Sequence, residues 1–269
     1  MNATLEKSFE LFTQRISLTG QEIEEALERA DEICNFLSMA TPVKECKVTG
    51  SMARSTAIRK FSDVDVVAVL RPHSLTTTTP QSITEKLLKI LKPEYRNAQI
   101  SENTVHINFT KGPDVDVIPA VPVTVNPKNG TTYRIPSPDR GKWNAYDPEG
   151  RNKEITQKGI LLGDRFVALI KVIKWWSKQN GQPIASYEIE NIASASFTSR
   201  MPSVTCAIVK FFDSLESQIE GRREDNVAAI SAARAIAKNA LRSEQQGDAR
   251  EALNYWGSLL GDQFSSVAP

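Results

Sequence analysis

The chain has 269 residues, 40% hydrophobic and 24% charged, with 33 basic against 32 acidic residues and a net charge of +1. This length and apolar content suit one large or two small folded lobes, and the near balance of charge gives no global electrostatic case for binding nucleic acid. Cys34, Cys46 and Cys206, odd in number and widely separated, argue against a disulfide framework or zinc knuckle and read as reduced packing residues. No apolar stretch approaches the ~20 residues of a membrane span, and MNATLEKSFELF lacks a basic start followed by an apolar core, so the expectation is a cytoplasmic protein without a membrane partner.

Helical spacing of Leu, Ile and Phe predicts two helices over 3–17 and 20–38, the second opened by a Thr19-x-x-Glu22 capping box and closed before Pro42. Strands near 43–49 and 63–70 bracket a Gly50-Ser51 turn. Pro72 and the Thr76–Thr79 run mark a polar loop, and Ser82-x-x-Glu85 opens a helix with Leu87, Leu88, Ile90 and Leu91 on its buried side. Strands near 104–110 and 114–119 pair as a hairpin across Lys111-Gly112-Pro113. From Val121 to Arg151 the density of Pro, Asn and Gly (Pro127, Asn129-Gly130, Pro136, Pro138, Pro148) predicts a long loop after the sheet has ended, anchored by Trp143. Beyond Asn152 the pattern is helical, over about 154–179, 187–197, 202–220, 226–244 and 247–259, with Pro202 in a first turn and Trp175 and Trp176 filling seams. The class is therefore α+β: a small mixed sheet with N-terminal helices in 1–150, then a helical lobe in 151–269.

The chemistry concentrates in VTGSMARSTAIRKFSDVDVVAVL. On a strand, Asp63 and Asp65 project to one face with roughly 7 Å between their backbones. That density of negative charge calls for a counter-ion, and Mg2+ takes carboxylates together with substrate phosphates. A second acidic strand in KGPDVDVIPAV offers a third carboxylate. Three acids from two strands suit two metals roughly 3.5–4 Å apart, which activate an attacking hydroxyl and neutralise leaving pyrophosphate. Asp63 and Asp65 are assigned to both metals, and the third acid to one metal and the proton of the attacking hydroxyl. Asp114 and Asp116 lie two apart on one face, so spacing does not choose between them. Gly50 and Ser51 would cradle phosphate, since glycine admits close backbone approach and serine donates. His73 and His106 form no metal-binding spacing and read as structural or exposed.

The segment from Gly50-Ser51 through Arg54, Thr56, Arg59, Asp63 and Asp65, with Val115-Asp116-Val-Ile-Pro119-Ala120 downstream, resembles the polymerase-beta-type nucleotidyltransferases of the oligoadenylate-synthase-like branch, and within it the bacterial cGAS/DncV-like nucleotidyltransferases (CD-NTases). The resemblance runs from about Val43 to Tyr255-Trp256 and Phe264 and selects Asp116 as the third acid. It implies that Lys174 contacts the donor triphosphate, Ser186 hydrogen-bonds it and Tyr187 stacks on a base, with the helical lobe clamping the donor. Lys171, one turn before Lys174, is a rival, and Ser186 also suits a helix N-cap. The implied reaction uses two Mg2+ ions, with Mn2+ as substitute, to join nucleoside triphosphates into a cyclic di- or trinucleotide messenger with release of pyrophosphate, in bacterial anti-phage (CBASS) signalling. The implied partners are a messenger-binding effector encoded nearby and regulatory or conjugating proteins at the C-terminus; apart from the resemblance, the balanced charge predicts no nucleic-acid partner, and the expected state is a monomer. Linear oligonucleotide synthesis, transfer to an RNA acceptor, and a silent nucleotide-binding module are the alternatives.

Overall fold

The computed structural model describes residues 3–71, 79–126, 130–139 and 141–265. They fall into two compact units, residues 19–154 and residues 1–18 with 155–269, so the first helix, α1 (Ala3–Ile16), groups with the helical unit. The predicted polar loop at 72–78, with His73, lies outside the described residues, as do Pro127, Asn129 and the tail beyond Ser265.

In the first unit, α2 (Gly20–Ser38) starts at the predicted capping box: Thr19 N donates to Glu22 Oε2 at 2.7 Å and Glu22 N donates to Thr19 Oγ1 at 3.2 Å. The chain continues through β1 (Val43–Thr49), the short α3 (Gly50–Ala53), β2 (Val64–Leu70), α4 (Pro80–Leu91), β3 (Gln99–Ser101), β4 (Thr104–Ile107), β5 (Val115–Asn126), β6 (Gly130–Pro136) and β7 (Trp143–Tyr146). The sheet order is β1-β2-β5-β4-β3, with β2 and β5 parallel and the other pairs antiparallel. Alternation sends Val64, Val66, Ala68 and Leu70 to one face, where they pack with Val115, Val117, Ile33, Leu37, Ile83 and Leu87 in a fully buried core. Each Val, Leu or Ile side chain among them contributes about 1.5–3 kcal/mol by leaving water. Val67, Val69 and Ala120 take the other face under Tyr133.

Several expectations need correction. The segment read as a loop from Val121 is the second half of β5 with β6 and β7, because Val121, Val123, Tyr133 and Ile135 keep a strand alternation. Two prolines of this segment sit where strands tolerate them, Pro122 beside a register break and Pro136 at a strand end. The fourth helix is capped by Thr79, which accepts from Ser82 N at 3.2 Å, and not by Ser82 with Glu85. Cys34 on α2 and Cys46 on β1 are joined as a disulfide, Cα atoms 5.1 Å apart, because the helix folds back along the strand that follows it. Cys206 is not bonded to another cysteine.

In the helical unit, the helix predicted over 154–179 is broken by Gly163, whose φ of +78° is favourable only for glycine, into α5 (Pro148–Leu162) and α6 (Asp164–Gln179). Then come α7 (Ser186–Ser196), α8 (Val204–Glu216), α9 (Glu224–Gln245), α10 (Ala249–Leu260) and α11 (Asp262–Ser265). Pro202 precedes α8, whose cap is Ser203, accepting from Cys206 N at 3.3 Å. Trp175 and Trp176 pack as expected: the indole of Trp175 donates to the Leu260 carbonyl at 3.1 Å, and Trp176 meets Phe212 edge-on at 4.9 Å.

Candidate active site

Strand register gathers the polar residues of the sheet into one row. Thr49 lies opposite Asp65 across β1 and β2, Asp65 opposite Asp116 across β2 and β5, and Asp116 opposite His106 across β5 and β4. Residues directly opposite share a face and sit within side-chain reach. Asp63 joins that face two residues before Asp65, at the entry of β2. Ligand atoms of Asp63, Asp116 and His106 lie within 4.8 Å of one another. This is a donor set of hard oxygens and one imidazole that suits a divalent cation.

Asp116 Oδ1 accepts from Thr104 Oγ1 at 3.1 Å and from His106 Nδ1 at 3.0 Å. The other ring nitrogen, Nε2, lies 3.2 Å from Asn108 Oδ1 and 3.5 Å from Asp114 Oδ2. Burial opposes the charged ring, but the hydrogen bond and charge of Asp116, helped by Asn108 and Asp114, hold the imidazole above its ordinary pKa. His106, read as structural or exposed, is half-buried and faces the third acid. No spacing motif could flag it, because the relation is cross-strand register. Asp114 has a different task. Its Oδ1 accepts from Phe109 N at 2.7 Å and closes the turn into β5, which Arg29 also pins by donating to the Pro113 carbonyl at 3.0 Å.

Gly50 sits immediately after β1 with φ +68°, and a Cβ built on it would lie 2.5 Å from Asp65 Cγ and 2.7 Å from Asp65 Cβ. Only glycine lets the backbone come this close to the acid. Ser51 follows it in α3. Tyr146, in the stretch taken for a loop, shares a hydrogen bond of 3.1 Å with Thr49, and burial raises its pKa, with the Asp65 charge adding to the effect. Arg54 and Arg59 are engaged within this unit, donating to Asn152 at 3.0 Å and Glu22 at 2.9 Å.

The helical unit carries the other predicted residues. Lys174 is 2% exposed and donates to Glu190, itself 0% exposed, at 2.8 Å. An ammonium buried in this way depends on its carboxylate, because either charge alone would be left uncompensated. Lys171 keeps partial exposure, donates to Ser17 Oγ at 2.9 Å, and has its pKa lowered by burial. Ser186 is the first residue of α7, and the cap is supplied by Glu188, whose Oε2 accepts from Ala185 N at 3.1 Å. Tyr187 is 63% exposed.

Residues 3–159 match the family model of the Second Messenger Oligonucleotide or Dinucleotide Synthetase domain. The chain belongs to this family. It is thus a nucleotidyltransferase of the bacterial CD-NTase group. It is 24% identical to a probable cyclic nucleotide synthase of Bacillus cereus (strain VD146), over 83% of each chain. Its fold is similar to CdnC of E. coli MS115-1 solved with ATP, with TM-score 0.82 and 17% identity over 96% of this chain and 98% of that one. It is also similar to CdnG of Bradyrhizobium diazoefficiens solved with GTP, with TM-score 0.79 and 11% identity over 98% and 97%. Among the described residues no helix is long and apolar enough to cross a membrane.

Proposed function

We propose that this protein joins nucleoside triphosphates into a cyclic di- or trinucleotide messenger, releasing pyrophosphate at each bond, and that it serves bacterial anti-phage signalling through a messenger-binding effector. The observation that carries this is the row of Asp65 and Asp116 with Asp63 beside it, backed by a glycine that no other residue can replace without displacing Asp65. The activities named for the relatives favour the cyclic product.

Asp63, Asp65 and Asp116 would hold Mg2+, with Mn2+ as substitute. When bound, the ions offset charge on the phosphates and acidify the attacking hydroxyl. Gly50 brings its backbone close to Asp65, and together with the Ser51 hydroxyl it would offer donors suited to phosphate oxygens. The hydrogen bonds from Thr104 and His106 both fall on Asp116 Oδ1, which leaves Oδ2 to meet a cation, and the same carboxylate is our choice to take the proton of the attacking 2′- or 3′-hydroxyl. The hydroxyl oxygen bonds to the α-phosphorus as the bond from that phosphorus to the oxygen shared with the β-phosphate breaks, and pyrophosphate leaves. In the helical unit, exposed Tyr187 suits base stacking and Ser186 suits a phosphate oxygen. For the triphosphate cation, partial exposure favours Lys171 over Lys174.

The test is incubation of purified protein with all four NTPs and Mg2+ or Mn2+, phosphatase treatment and mass spectrometry, beside the Asp63→Asn/Asp65→Asn variant. A phosphatase-resistant cyclic nucleotide made only by wild type supports the proposal and names its bases. Linear products, or extension of an added RNA, would replace it.

A further inference from the structure

We propose that His106 is a positioning residue for the third acid: its ring, with the Thr104 hydroxyl, fixes Asp116 Oδ1 and so presents Oδ2 to the cation. This rests on the metal-dependent reading above. Two donors from the same strand, β4, converge on one carboxylate oxygen, Thr104 Oγ1 at 3.1 Å and His106 Nδ1 at 3.0 Å. A carboxylate held by two donors on one oxygen loses rotation about its terminal torsion, which is otherwise broad.

The imidazole is itself held. Its Nε2 faces Asn108 Oδ1 at 3.2 Å and Asp114 Oδ2 at 3.5 Å, so the ring is braced at both ends between β5 and the turn that precedes it. That turn is fixed in place: Asp114 Oδ1 holds the Phe109 amide at 2.7 Å, and Arg29 lies over the Phe109 ring at 4.8 Å while donating to the Pro113 carbonyl. A chain of contacts therefore runs from Arg29 on α2 through the turn and His106 to Asp116. Partners that orient a metal ligand commonly change metal affinity about 10–100-fold when removed. His106 is also close enough to Asp63 to belong to the same cluster, which makes direct ligation the alternative that the test must separate.

The experiment is titration of the full-length protein with Mn2+, reading free ion by electron paramagnetic resonance, with circular dichroism melts on each variant. Wild type should bind Mn2+ and Asp63→Asn/Asp65→Asn should not. His106→Ala should weaken binding by about 10–100-fold. His106→Asn, whose amide places a donor near the Nδ1 position, should recover most of that loss. Unchanged binding in His106→Ala overturns the inference, and so does an equal loss in His106→Asn, which would make the ring itself a ligand. Should His106→Ala fail to fold, Thr104→Val reads the same oxygen, and unchanged Mn2+ affinity there overturns the inference. If wild type binds Mn2+ no better than the double aspartate variant, the metal-dependent reading itself fails, an outcome distinct from the failure of His106 alone.

Discussion

Replacing Gly50 with alanine separates backbone strain from damage to the acid. Alanine at φ +68° costs about 1–2 kcal/mol, as left-handed backbone does for any L-residue with a Cβ. The new methyl would lie 2.7 Å from Asp65 Cβ and 2.5 Å from Asp65 Cγ, so that side chain must retreat by about 1 Å or more to reach ordinary van der Waals separation. Gly181 provides the control, since its φ is +75° and nothing lies within 4 Å of an added Cβ. Both variants should melt about 2–8 °C below wild type, the shift expected for that strain in a chain of this size. Only Gly50→Ala should lose pyrophosphate release, by about 100-fold, the scale on which ~1 Å of misplacement acts. Equal turnover in the two folded variants would refute the claim that Gly50 exists to admit Asp65.

Asp116→Asn should lower turnover by orders of magnitude, whereas Asp114→Asn, which weakens the bond to the Phe109 amide, should cost about 1–2 kcal/mol of stability and far less activity; the reverse ranking in pyrophosphate release would mean the wrong acid was chosen. Glu190→Gln leaves the Lys174 charge buried without its carboxylate and should destabilise the protein by about 3–5 kcal/mol in denaturant titration. Lys174→Met/Glu190→Leu should restore most of that stability with the KM for ATP unchanged, and a raised KM would return Lys174 to the triphosphate. The Glu22 carboxyl is held below its ordinary value by the Thr19 amide and, against the opposing effect of burial, by Arg59. Its contribution is therefore present above the unfolded value of about 4.3 and is lost as pH falls through the lower folded value. Wild type should lose melting temperature more steeply than Glu22→Gln between neutral pH and pH ~3, and parallel curves would sink this assignment.

What could be read from the sequence was what is encoded locally. The bounds of α2 and β1 follow from periodicity and from a capping box four residues long, and Asp65 and Asp116 sit on strands whose alternation is visible in VDVVAVL and VDVIPAV, with Asp63 immediately before the first of them. What was missed depends on which segments become neighbours. Cys34 and Cys46 meet because α2 returns along β1, and His106 meets Asp116 because two strands pair in one register and not the next. The error over β6 and β7 is of another kind: Pro and Gly were given more weight than the alternation beneath them, and Tyr146 was lost with those strands. The break at Gly163 has the opposite cause, an isolated glycine that a strong apolar periodicity on both sides conceals.

Local rules fail in concert along the connection from Gly50 to Asp63. Besides Gly50, Ser55 at φ +58° and Lys60 at φ +71° occupy the left-handed region, two of the four non-glycine residues that do so among the described residues. Each costs about 1–3 kcal/mol and persists only where the surroundings dictate it. Here they do: Thr56, Ala57 and Ile58 are buried between the two strained residues, Thr56 N donates to the Ser51 carbonyl at 2.9 Å, and Ile58 N donates to Ser62 Oγ at 2.9 Å. A relaxed turn could join β1 to β2 with fewer residues, since the strands are antiparallel neighbours. The longer, strained path ends β1 with a backbone pressed against Asp65 and delivers Asp63 to the same face. The strain thus falls where, in the proposed site, a backbone offered to phosphate would meet a carboxylate offered to a cation.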